Sequence, residues 1–127
     1  MNTRSAGISE IGQIAITVDD VDKSASFYGD VLGLTLLFKA SPNMAFLQCG
    51  NVRIMLSRPQ GAGAVGANSI LYFKVPNLPE AISHLTAKGV AFIGESRLIA
   101  RMPDHELWMA AFRDLDGNIH ELMCEKR

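Results

Sequence analysis

The apolar positions of this chain fall into short alternating runs, interrupted twice by a stretch of helical spacing. In Ile11 to Val18, residues Ile14, Ile16 and Val18 share one side of an extended segment, while Gln13, Ala15 and Thr17 share the other. That predicts a strand with one greasy face. Asp19-Asp20-Val21-Asp22 then offers caps for a helix running through Tyr28 and Leu32 and stopping at Gly33. Three further strands are expected at Thr35 to Lys39, Ala45 to Cys49 and Val52 to Ser57, separated by the turn signals Ser41-Pro42-Asn43 and Gly50-Asn51.

The same order then recurs. Ser69 to Val75 reads as a strand, Asn77 caps a second helix with Glu80 placed to return the bond, and that helix ends at Gly89. Strands follow at Val90 to Ile93, Leu107 to Arg113 and Ile119 to Cys124. Val18 and Val75 lie 57 positions apart, and Gly33 and Gly89 lie 56 apart, so the chain is two βαβββ modules, 8–58 and 69–125. The connector 59–68 is rich in Gly and Ala. Its Gly61-Ala62-Gly63-Ala64-Val65-Gly66 spells a dinucleotide fingerprint, but a strand follows where that fold needs a helix, so it reads as linker.

Composition narrows the function classes. With 127 residues, 48% of them hydrophobic, the chain can bury a core of its own. Twelve Lys and Arg against thirteen Asp and Glu leave a net charge of -1 with no basic cluster, which argues against nucleic acid. No apolar run approaches the roughly 18 residues of a membrane span, and Cys49 and Cys124 are too far apart in sequence for a C-x-x-C site. A cytoplasmic setting is expected, with both thiols packed inside.

Two motifs carry a resemblance. Phe27-Tyr28 with Val31-Leu32-Gly33-Leu34, and Phe112-Arg113-Asp114-Leu115-Asp116-Gly117-Asn118 before the last strand, resemble the vicinal oxygen chelate superfamily. That group includes glyoxalase I, methylmalonyl-CoA epimerase, extradiol dioxygenases and bleomycin-binding resistance proteins. The resemblance implies an α+β fold in which two modules form a cup-shaped, partly closed mixed sheet with helices outside. It also implies a homodimer, a small organic ligand in the cup and, in the enzymes, a divalent metal held by residues from the first and last strand of each module.

Carried onto this chain, the four metal slots fall on Gln13, Met55, Ile70 and Glu121. Gln13 and Glu121 are oxygen donors and remain candidate metal ligands, whereas Met55 and Ile70 offer nothing to a hard cation. Shifting the second slot to Arg53 supplies a cation instead. Glu121, between Ile119 and Met123, is a candidate base in the pocket, or else the partner of Arg53 or Arg113 in an ion pair. Gln13 is either a site residue or an interior amide bonded to a neighbour.

Met55, Ile70 and Trp108 are expected to line the pocket with Gln13 and Glu121. His105, beside Asp104, is a second candidate catalyst, as a loop proton shuttle, or merely part of a turn cap. His120 points away from Glu121 by alternation and reads as a structural or surface histidine, His84 as an ordinary helix residue, and Asp114 to Asn118 as a turn. Three functions stay open: a metal-poor, ligand-holding cup; a metal-dependent lyase or epimerase moving a proton next to a carbonyl; and a metal-free enzyme using Glu121 or His105 as base. Met55 and Ile70 favour the first.

Overall fold

The computed structural model describes residues 5–59 and 64–127. Module one contains β1 (Gln13–Thr17), α1 (Val21–Ser26) continued by a π-helical turn (Phe27–Val31), β2 (Thr35–Ser41), β3 (Met44–Cys49) and β4 (Val52–Ser57). Module two contains β5 (Tyr72–Lys74), α2 (Leu78–Ala87), β6 (Ala91–Arg101), β7 (Glu106–Arg113) and β8 (Ile119–Lys126). The expected βαβββ order holds in both halves. Gly61 to Gly63, most of the glycine fingerprint, lies outside the described residues.

Each module makes its own four-stranded mixed sheet, ordered β1-β4-β3-β2 and β5-β8-β7-β6, so the cup is two open sheets rather than one continuous surface. In both, the first strand pairs parallel to the last and the other neighbours are antiparallel. α1 packs on β3 and β4, and α2 on β6, β7 and β8. This leaves every strand with a helix-side face and an open face.

The caps follow the sequence. Asp20 Oδ1 accepts from the Lys23 N–H at 3.0 Å, and Asn77 Oδ1 from the Glu80 N–H at 3.1 Å. Both helices close on glycines in the left-handed region, Gly33 at φ +92° and Gly89 at φ +89°.

The helix-side faces form one apolar cluster spanning both modules. Ile16, Leu47, Leu56, Tyr28, Leu78, Phe112 and Leu122 all belong to it. Alternation accounts for this, because burying Ile14, Ile16 and Val18 necessarily turns Gln13, Ala15 and Thr17 outward.

One element departs from the expectation. The strand expected to stop at Ile93 continues as β6 to Arg101, with register shifts between Ile93 and Arg97 and between Leu98 and Ala100. Gly94, at φ +70°, reads locally as a terminator but serves as a bulge that bends the strand without ending it. β5, by contrast, is shorter than expected, although Glu121 N–H still donates to Leu71 O beyond its end at 2.9 Å.

Candidate functional site

The open faces carry the chemistry. On module one, the registers Gln13↔Arg53, Ala15↔Met55 and Phe46↔Met55 place Gln13, Arg53, Met55 and Phe46 side by side. Arg53 Nε donates to Gln13 Oε1 at 2.7 Å, and the Gln13 amide contacts Met55 Sδ at 3.8 Å. Phe46 stacks on Phe38 with ring centroids 4.6 Å apart, and the Arg53 guanidinium lies 5.3 Å from the Phe46 centroid. Phe38 is nonetheless 49% exposed. The result is a flat aromatic platform backed by a cation.

On module two, Glu121 lies opposite Ala111 and Tyr72. Its carboxylate is 12% exposed and takes Arg97 Nη2 between its two oxygens, at 3.1 and 3.2 Å. Expected partners for such an ion pair were Arg53 or Arg113; the partner is instead Arg97, which the extension of β6 past Gly94 brings onto this face opposite Met109. Arg113 Nη1 bonds Gly117 O at 3.3 Å and Arg53 serves Gln13. Sequence inspection missed Arg97, since the only local signal was a basic residue in a segment lacking clear alternation.

These donors make a poor metal cage. Gln13 Oε1 is engaged by Arg53, Glu121 by Arg97, Met55 offers a thioether, and Ile70, 47% exposed, offers no donor. A hard divalent cation would have to displace a guanidinium to gain the one carboxylate. Among the described residues, no group of three His, Cys, Asp or Glu side chains is placed to hold a metal. Gln13 and Glu121 sit on separate sheets, each in its own polar cluster.

The remaining candidates lie elsewhere. Trp108 pairs with Cys124 and Leu98 and packs against the core cluster, which puts it on the helix-side face, opposite to Glu121. There its Nε1–H donates to Glu106 at 3.0 Å, and its ring lines a cavity of about 750 Å³ with Pro76, Leu78, Cys124 and Arg127. His105 Nδ1 bonds Asp104 at 2.8 Å in the loop between β6 and β7. Bonds from His105 and Arg127 hold the Asp104 carboxyl below its ordinary range.

A second buried polar group joins the modules. Leu71 N–H donates to His120 Nδ1 at 3.3 Å, so His120 Nε2 carries the hydrogen and donates to Tyr28 Oη at 2.8 Å. The Tyr28 hydroxyl in turn donates to Asp114 Oδ2 at 2.6 Å. Asp114 also accepts from the Asn118 backbone at 2.8 Å and side chain at 2.9 Å. Burial pushes the Tyr28 phenol far up, with Asp114 adding to the shift. Burial would raise Asp114 too, but the His120 imidazole 3.8 Å away and the bonds from Tyr28 and Asn118 outweigh it and hold the carboxyl at about 2. His120 faces away from Glu121 and is wholly enclosed, a structural rather than a surface histidine.

Comparison with known proteins now bears on the chain as a whole. A family model described as Glyoxalase/Bleomycin resistance protein/Dioxygenase superfamily matches residues 10–122. The chain belongs to this superfamily. Among solved structures, an antibiotic binding protein from a Streptomyces species superposes with a TM-score of 0.79 at 20% identity, covering 96% of this chain and 100% of that one. A superfamily member from Sphaerobacter thermophilus gives 0.77 at 25% identity, covering 93% and 98%. A lactoylglutathione lyase from Agrobacterium tumefaciens gives 0.70 at 24% identity, covering 92% and 94%. No curated protein sequence matches. The superfamily's fold thus accommodates both a binder and a lyase, and the choice between them falls to the site.

Proposed function

We propose that this superfamily member is a small-molecule-binding protein whose open sheet faces hold an apolar, ring-bearing ligand without a catalytic divalent metal. One observation carries the reading: Glu121, the only carboxylate among the four metal slots, is taken by Arg97. On the open face of module one, Met55, Phe38 and Phe46 suit a planar organic molecule better than a hydrated cation. Tyr72 and Ile70 add exposed apolar surface on module two. The antibiotic binding protein from Streptomyces is consistent with this use of the fold, while its 20% identity leaves the argument resting on the residues themselves.

The second copy that the superfamily resemblance implies is part of the proposal, and light scattering on the purified protein checks it. The functional test is metal content followed by calorimetric titration with nickel, zinc, manganese and iron(II), on the wild type and Glu121→Ala. The expected result is no stoichiometric binding by either protein, with thermal shifts produced by small aromatic or thiol-containing compounds. Tight binding of one metal per site, abolished in Glu121→Ala, would sink the reading and favour a glyoxalase- or epimerase-type lyase.

A further inference from the structure

Arg97 is more than a counterion to Glu121. Its contact with the carboxylate uses one nitrogen, Nη2, shared between both oxygens. A guanidinium has five N–H donors in a rigid fork, and among the described residues Nε and Nη1 have no hydrogen-bond acceptor. The side chain is 45% exposed while Glu121 is 12% exposed, so the pair presents the cation outward and the acid inward.

The surroundings on that face are apolar near the fork and cationic beyond it. Met109 lies directly opposite Arg97, Met123 is the next cross-strand neighbour, and Ala111 lies opposite Glu121. Lys74, paired with Met123 on β5, adds a second positive charge. Glu125, the other acid on this face of β8, lies at the strand end, 3.9 Å from Arg127. A fork with free donors over a thioether floor matches two neighbouring oxygens carried by an apolar body.

We propose that Arg97 is the oxyanion-recognising group of the site, and that the ligand class is an apolar, ring-bearing molecule carrying a carboxylate or sulfonate. The ring lies over Met109 and Met123, and the oxygens take the free side of the guanidinium. This rests on the ligand-binding reading above and deepens it by fixing the charge of the ligand. A fixed guanidinium thereby gives a pair of neighbouring ligand oxygens the positive partner that a bound metal otherwise offers them.

Two fluorescent probes of nearly the same shape test this: anilinonaphthalene sulfonate and its sulfonate-free parent, phenylnaphthylamine. Wild type is expected to bind the sulfonate more tightly, by on the order of tenfold, with the preference shrinking as salt is added. Arg97→Met should erase the preference, so that the two dyes then bind with similar affinity. Arg97→Gln, which removes the charge but keeps a side-chain N–H donor, gives the same readout should the methionine variant fail to fold.

A preference that persists in both Arg97 variants overturns the proposal, as does its absence in the wild type. Loss of the preference in Arg127→Met but not in Arg97→Met would move the anion to the cavity beside Trp108, and overturns it as well. Failure of the wild type to bind either dye removes the ligand-binding reading itself, which separates the two failures.

Discussion

The Tyr28 hydroxyl bonds Asp114 at 2.6 Å across 86 positions of sequence, joining the first helix of one module to the closing turn of the other. Both residues belong to the two motifs that mark the superfamily, and the structure makes them each other's partner. Tyr28→Phe keeps the ring in its slot and removes only the hydroxyl, taking one bond from a buried carboxylate and stranding the His120 Nε2–H. A loss of about 2 to 3 kcal/mol is expected, read as a lower urea midpoint with unchanged slope.

Acid should undo the same junction. Because Asp114 is held at about 2 in the folded chain, below its ordinary value near 4, its contribution is complete above about pH 5 and is lost as pH falls toward 2. The depression corresponds to about 2 kcal/mol. Urea unfolding at neutral pH and near pH 3 should show a drop that Asp114→Asn largely lacks, since the variant is already weakened at neutral pH. An identical pH dependence in the two proteins would refute this role for Asp114.

Gly66 closes the connector against the last turn at φ +78°, and a Cβ placed there would lie 2.8 Å from the Asp116 carbonyl oxygen. Neither the conformation nor the contact tolerates a side chain. Gly66→Ala should cost about 1 to 3 kcal/mol. Gly94→Ala, at φ +70° with open space around it, should cost less, and the two melting temperatures measured side by side give the comparison.

The Glu121 carboxylate depends on one cation. Arg97→Met should destabilise the chain at neutral pH by about 1 kcal/mol, a value reduced from the buried-pair range because Arg97 is half exposed. Arg97→Lys, which keeps the positive charge, should recover most of that loss. Equal losses in Arg97→Met and Arg97→Lys, read from urea midpoints, would mean that packing, rather than charge, sets the cost.

The duplication, the strand and helix order, both caps and the open-face placement of Gln13, Met55 and Glu121 were legible in the sequence. All of them follow from local periodicity, because burying one face of a strand fixes where its neighbours point. The caps are local too, a matter of an oxygen three residues before an unpaired N–H. Tertiary structure decided what local pattern could not encode. It gave Glu121 to Arg97 rather than Arg53 or Arg113, because a bulge at Gly94 carried β6 eight residues past its expected end at Ile93. It set Trp108 on the helix side through its register with Cys124, and it turned the motif residues Tyr28 and Asp114 into one buried bond. Register, bulges and contacts between distant segments depend on how the whole chain closes on its core, so they leave no repeating mark along the chain.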